Sequence, residues 1–488
     1  GYGYQYDGGG VVSLDPKLME MLVYRQSPYY MMEDTYERNA AFYANADYTF
    51  DRRYSISASA RYDGSNQLGR GAAKRWLPTW TFAGKWIISN EAFMENASRI
   101  VDFMSLRASY GLTANIPPSA SNAMALYYNQ ELYRPGNAEV GITLADLQNT
   151  ELTWEKNYQL NVGFDLTLFG GRLDFNVDYF NRQGFDLISQ IKVAGIGGFM
   201  WKNANYADLD SQGVDITLGG KMISTKDWTW SAHFTFGYSK NIIRNAKNSP
   251  EVFELVRQEG GNKNNYPVNS LFSIPFAGLN PETGIPMFYN EKGEIGYDCY
   301  MQGIETDFLK YEGQIDPKYT GGLNTTLRWK SLSMNLFFTF QAGNVIRLNP
   351  VFSSSYSDIT ALPNEFKDRW IMSGDEQRTD IPAIADNLMQ KLYLSSAYPY
   401  NNYNYSSARV AKGDFIRLKS LSINYELPSA LVRKSRVFKR AAVRLTAKDL
   451  WLMYSDKALN GQDPEFFNTG GVAMPVQTQF VLSLDLGF

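Results

Sequence analysis

Chemistry needs reactive side chains in company, and this sequence supplies few. It holds one histidine, His233, and one cysteine, Cys299, far apart in the chain. That excludes an internal disulfide and a multi-cysteine metal site, and it removes most nucleophile–histidine triads. His233 falls on a polar step of the alternating run Trp228–Tyr238, where a structural place on a wetted face is the ordinary reading. Asp208 and Asp210 could divide acid and base work at a glycosidic bond, but nothing orients them, and solvated loop carboxylates are the simpler account. Gly195-Ile196-Gly197-Gly198 follows a strand yet opens no helix, so it lacks the setting of a phosphate cradle. The sequence predicts no catalytic residue, no cofactor and no metal ligand.

Recognition is the other chemistry on offer. Tyr393, Tyr398, Tyr400, Tyr403 and Tyr405 are mixed with Asn401, Asn402 and Asn404. Tyrosine faces stack on sugars or peptide planes, and asparagine amides donate and accept hydrogen bonds. Tyr393, Tyr398, Tyr400, Asn401, Tyr403 and Asn404 are therefore candidate substrate contacts; the alternative is a loop that packs on its own neighbours. They lie in the long segment 341–412. With 113–151 and 241–316, it far exceeds the ~15 residues beyond which a loop is usually functional or disordered.

The elements that carry these loops are strands. Near the end of the chain Val476, Phe480, Leu482, Leu484, Leu486 and Phe488 fall on one side, and Gln477, Gln479, Ser483, Asp485 and Gly487 on the other; Thr478 and Val481 break the alternation. A strand sends successive side chains to opposite faces, so this is one apolar wall and one wet wall. Thirteen such strands can be marked. They are Ala41–Phe50, Tyr54–Tyr62, Trp80–Trp86, Ser105–Leu112, Tyr158–Leu168, Leu173–Tyr179 and Val214–Leu218, then Trp228–Tyr238, Leu323–Trp329, Leu332–Phe340, Phe415–Leu427, Val443–Trp451 and Val476–Phe488. Residues 1–37 read as loop. Tyr54 and Tyr62 are eight steps apart, roughly 26 Å at about 3.3 Å per residue, which suits an apolar band of about 25 Å with an aromatic at each edge.

Connections between these strands alternate between tight and long, so that with a periplasmic C-terminus every long segment lies outside. Transmembrane barrels sort their loops this way, and a soluble meander has no reason to. A barrel also leaves no strand edge unpaired in lipid, which gives the terminal residues Phe480, Leu482, Leu484, Leu486 and Phe488 the part of a closing strand. No stretch approaches the ~20 apolar residues of a spanning helix. Acidic and basic residues nearly balance, 50 against 47, which argues against a nucleic-acid binder. Aromatics make up 15% of the chain, enough for interfacial belts or for carbohydrate contact. The fold class expected is all-β: a transmembrane antiparallel β-barrel in the outer membrane, facing the lipid bilayer. No initiator Met or export signal stands at Gly1, so the chain is expected to begin after processing or partway through a longer protein.

Several segments carry a more specific likeness. They are Ser57-Ala58-Ser59-Ala60-Arg61-Tyr62-Asp63-Gly64-Ser65, Leu106-Arg107-Ala108-Ser109-Tyr110-Gly111, Gly213-Val214-Asp215, Gly278-Leu279-Asn280-Pro281-Glu282-Thr283-Gly284 and Asp316-Pro317-Lys318-Tyr319-Thr320-Gly321-Gly322. Later come Trp370, Gly374-Asp375-Glu376, Phe415-Ile416-Arg417-Leu418-Lys419 and Asp463-Pro464-Glu465. In this order the chain resembles the C-terminal portion of a SusC/RagA-family TonB-linked outer-membrane transporter. The resemblance implies a barrel of about 22 strands around an N-terminal plug, and a SusD-like surface lipoprotein as lid. It further implies energy from TonB–ExbB–ExbD, nutrient oligosaccharides or oligopeptides as cargo, and pairing of two such SusC–SusD units. The plug and TonB box have no counterpart in 1–488, and thirteen strands are too few for that barrel. Asp449 and Met474 replace an expected asparagine and aromatic without disturbing the strands. A SusC-like barrel that serves only as a structural subunit of a larger outer-membrane complex is the alternative.

Overall fold

The computed structural model describes residues 2–6, 30–34, 37–117, 126–134, 137–144, 148–193, 201–247, 249–350, 364–384, 398–432, 434, 437–466 and 477–487. Thirteen strands form one antiparallel sheet in which every strand pairs with its neighbour in sequence. They are β1 (Asn39–Phe50), β2 (Tyr54–Ser65), β3 (Trp76–Ile87), β4 (Val101–Asn115), β5 (Glu155–Leu168), β6 (Leu173–Lys192) and β7 (Trp201–Ser224). The rest are β8 (Trp228–Arg244), β9 (Tyr319–Trp329), β10 (Leu332–Ala342), β11 (Phe415–Glu426), β12 (Arg440–Tyr454) and β13 (Gln479–Gly487). Each contains or overlaps one strand read from the sequence. Among the described residues β1 and β13 pair on one side only.

The register locks the two faces together. Phe236, Ile216, Val177, Phe164, Leu106, Trp86, Tyr54 and Phe50 stand opposite one another in turn across eight adjacent strands. One residue along, the row reads Gly237, Asp215, Asp178, Gly163, Arg107, Lys85, Ser55 and Thr49. A slip of one residue at any pairing would exchange the rows, so the pattern itself fixes register. Among the described residues no layer packs on the apolar face: Phe480, Leu482 and Leu484 are 69%, 73% and 63% exposed. A water-soluble domain would not leave so large an apolar surface open.

Aromatic rings edge this face. Trp228 and Trp329 stack at 5.8 Å near the short turns. At the other edge Tyr62 stacks on Trp76 at 5.0 Å, Tyr110 on Tyr158 at 6.2 Å, and Tyr238 meets Tyr319 at 5.4 Å. Two aromatic girdles bounding an apolar band is the arrangement of a transmembrane barrel wall.

The connections fall on two rims. One rim carries 51–53, 88–100, 169–172, 225–227, 330–331 and 427–439; the other carries 66–75, 116–154, 193–200, 245–318, 343–414 and 455–478. Phe169, Gly170 and Gly171 take positive φ in one tight turn and Lys330 in another.

Three readings need correction. Residues 1–37 are not all loop, since Tyr2–Tyr6 pairs with Tyr30–Asp34. The segment 113–151 holds a hairpin, Leu126–Arg134 with Asn137–Leu144. The strand marked at Val214–Leu218 runs from Trp201 to Ser224, and β6 reaches Lys192. Beyond the girdle both faces are wet, so Asp208, Asp210 and Gln212 carry no apolar alternation and the strand loses its signal there.

Candidate functional site

Two parts of the molecule can handle a solute: the polar face of the sheet and the layer of long connections at one rim. The polar face is organised around Arg107. Its guanidinium meets Asp178 at 2.6 Å and Asp165 at 3.5 Å. Asp165 also accepts from Ser105 Oγ at 2.9 Å and from the Asn176 amide. Gly163 lies between these charges, and a Cβ there would overlap both the Arg107 guanidinium and the Asp178 carboxylate. Glycine is required because the ion pair crosses directly over it. Two recesses indent this face. One of about 680 Å³ is lined by residues including Asn39, Arg61, Asp63, Thr79, Asn115 and Trp154. Another of about 350 Å³ is lined by residues including Ser57, Lys85, Arg107, Asn161 and Asp178. Hydroxyls, amides and both signs of charge line the two recesses.

The loop layer has its own core. Val252, Leu255 and Val256 of a short helix pack with Phe272, Ile274, Phe288, Leu309, Phe366 and Tyr403, which joins segment 245–318 to segment 343–414. Val345–Arg347 pairs with Val410–Lys412 beneath it. Arg347 is the hub, 2% exposed, and donates to the carbonyls of Val256 (3.1 Å), Ser406 (2.7 Å) and Phe272 (2.6 Å) and to Ser273 Oγ (3.1 Å). Burial pulls this guanidinium down to about 9. Arg409 holds Glu365 through two 2.9 Å bonds and the Asn349 carbonyl at 2.7 Å. Burial likewise pushes the Cys299 thiol up to about 12, which leaves it inert.

The third long connection, 455–478, docks through charge. Arg417 on β11 pairs with Asp463 and, at 3.1 Å, with Glu465; Lys419 pairs with Asp449 at 2.9 Å. Two of the segments singled out in the sequence, Phe415–Lys419 and Asp463–Glu465, thus recognise each other. The same holds for two more. In the turn before Gly284, the Asn280 side chain accepts from the N–H of Glu282 (2.8 Å) and Thr283 (3.1 Å). Gly284, at φ +67°, lies so close to Trp370 that a Cβ would overlap the indole. Trp370 Nε1 donates to Glu376 at 3.2 Å, and Asp375 accepts from the N–H groups of Ile371 and Met372 at 3.0 Å.

The sequence-predicted contacts divide. Tyr398, just before the helix Pro399–Asn404, is 72% exposed, and Asn401, on that helix, is exposed. Tyr403, 1% exposed, is buried in the loop core, and Tyr400 (2%) and Asn404 are buried on the same helix. Burial also raises the Tyr403 hydroxyl. Tyr393 lies outside the described residues, as does Phe488. Phe480, Leu482, Leu484 and Leu486 line the outer face of β13 opposite Ala447, Leu445, Val443 and Ala441. Sequence reasoning did not pick Arg107, Asp165 and Asp178 as a unit; the signal was that all three sit on the polar phase of their strands.

A lipid-facing band between aromatic girdles, a charged interior wall and an ordered layer of long loops on one rim define the wall of an outer-membrane β-barrel. The chain belongs to the TonB-dependent receptor-like β-barrel family, whose model matches residues 2–346. It is similar to the TonB-dependent receptor P3 of Formosa agariphila, 27% identical over 87% of this chain and 41% of that protein. It is similar also to the TonB-dependent receptor SusC of Bacteroides thetaiotaomicron, 24% identical over 47% of this chain and 22% of that one. The RagAB peptide importer in its closed-closed state shares the fold: TM-score 0.75 at 23% identity, covering 95% of this chain and 49% of that one. The chain spans less than half the length of the curated relatives that it matches along most of its own length.

Proposed function

We propose that the protein carrying this chain imports nutrient oligomers, oligosaccharides or oligopeptides, across the outer membrane by TonB-dependent transport. In this reading the thirteen strands are part of the barrel wall, with the long-loop rim outside the cell and the short-turn rim in the periplasm. A plug-bearing portion of the same transporter fills the lumen against the Arg107–Asp165–Asp178 wall and receives energy from TonB–ExbB–ExbD. A SusD-like lipoprotein covers the loop layer, and two such pairs associate. β13 closes on a strand supplied by the plug-bearing portion. Among the candidate contacts, Tyr398 and Asn401 are placed to meet cargo or lid, while Tyr400, Tyr403 and Asn404 shape the surface that presents them.

The observation that carries this reading is the loop layer: 245–318 and 343–414 share one core, Leu459 of 455–478 packs on Ile346, Leu348 and Ala411, and Asp463 pairs with Arg417, all at one rim of a barrel wall whose interior is polar and recessed. The relatives' names support the energy source. Extracting the protein from its native membrane and identifying co-purifying polypeptides and retained oligomers by mass spectrometry tests it. We expect a plug-bearing portion, on the same polypeptide or bound to it, a surface lipoprotein, and glycan or peptide uptake that collapses when the proton gradient is discharged. A purified protein with neither plug nor lipoprotein, or uptake indifferent to the gradient, would contradict it.

A further inference from the structure

The short-turn rim carries more positive charge than it neutralises. Backbone bonds tie neighbouring turns into one edge: Lys221 N–H to Arg172 O at 2.8 Å, Lys330 N–H to Asp227 O at 2.8 Å, and Glu426 N–H to Ser331 O at 2.9 Å. Along this rim Arg52, Arg99, Arg172, Lys226, Lys330 and Lys439 are exposed, and among the described residues none of the six forms an ion pair. The rim's carboxylates are mostly committed elsewhere. Asp51 and Glu91 hold Arg53, Glu426 holds Arg440, and Asp102 accepts from the N–H groups of Gly170 and Gly171.

Two further observations say what this charge faces. Trp228 and Trp329 stack on the lipid side immediately above these turns, and the Lys330 ammonium lies 5.7 Å from the Trp329 ring. Tryptophan settles at headgroup depth, so cations one residue beyond it reach the phosphate layer. The sign then reverses at the opposite rim, where segment 245–318 holds 11 Asp and Glu against 6 Lys and Arg. An excess confined to one rim, beside interfacial tryptophan, is not a uniform solubilising surface.

We propose that the short-turn rim binds the headgroups of anionic phospholipids in the leaflet on its own side, and so fixes the depth and tilt of the wall. The proposal rests on the membrane orientation of the sheet and is independent of what the protein transports. Each basic residue near an anionic surface gains a factor of roughly five in binding.

The test uses the complete protein carrying this chain, with its partners, in nanodiscs of phosphatidylcholine doped with phosphatidylglycerol. Native mass spectrometry reads the lipids retained on release from the disc. We expect phosphatidylglycerol to be retained over phosphatidylcholine by at least about tenfold. A four-site variant, R172Q/K226Q/K330Q/K439Q, loses that preference, and R172K/K226R/K330R/K439R keeps it. Unchanged heat-modified gel mobility of both variants shows that the barrel still folds. Equal retention of the two lipids, or a glutamine variant that keeps the preference, would overturn the proposal. So would displacement of the lipid by inorganic phosphate at equal concentration, which marks a plain anion site, or loss of a bound acidic protein with lipid retention unchanged.

Discussion

Removing Asp463 should release the described part of the last long connection, residues 455–466, from β11. Arg417 has only 4% of its side chain exposed, and its acidic partners are Asp463 (9%) and Glu465 (33%). Stranding a buried charge costs about 3–5 kcal/mol. Glu465 remains 3.1 Å away and returns part of that, so Asp463→Ala should cost about 2–3 kcal/mol locally. At 1.4 kcal/mol per factor of ten, the opened form of 455–466 rises roughly 30- to 150-fold. Limited proteolysis of intact cells reads this directly, because at low protease the cleavage rate follows the open population. The paired variant R417M/D463L removes both charges together and should recover most of the loss. Recovery falls short by about 1 kcal/mol because Asp463 also accepts from the Glu465 N–H and caps the turn Pro464–Phe466. Cleavage of Asp463→Ala at the wild-type rate, or a paired variant no better than the single one, would refute this reasoning.

Gly163→Val forces a side chain into the Arg107–Asp178 pair; folded barrel should fall sharply on a heat-modifiability gel, while Gly84→Val, whose Cβ meets nothing, stays near wild type. Leu218→Arg places a charge mid-band, between Phe175 and Phe234, and should cost about 2–4 kcal/mol in folding titrations into lipid. Thr217→Arg, on the opposite face, should cost far less. Asp375 is held below the usual carboxylate range by the N–H groups of Met372 and Ile371, then by Arg378, and Glu376 is also lowered, by backbone N–H groups including that of Gly374. A depressed folded value stabilises above the unfolded one and is lost as pH falls through the folded one, so acid should loosen the 371–378 turn. Hydrogen exchange of that turn should show this, and D375N/E376Q should abolish it.

The wall was legible because lipid writes a plain code. Phe164 or Phe234 must face hydrocarbon and Asp165 or His233 must not, and a tight turn such as Phe169-Gly170-Gly171 announces each reversal. What escaped lies where that code stops. Asp208 to Gln212 belong to a strand standing in water on both sides, so nothing in their sequence distinguishes strand from loop. Tyr403 and Tyr398 belong to the same aromatic-amide run, yet one is core and the other surface. That difference depends on Val252 and Phe272 arriving from another connection and on Phe366, more than thirty residues back in the same one, and no local pattern records it. Arg417 and Asp463 were visible as separate segments; their opposite charges were the clue that they meet.

A cysteine walk along Val214, Asp215, Ile216, Thr217 and Leu218, with Cys299 replaced by serine, tests the two-faced wall most directly. In the native membrane a charged maleimide should label positions 215 and 217, and a fluorophore at 214, 216 and 218 should be quenched by brominated lipid. Labelling without a period of two, or with the phases exchanged, would contradict the account.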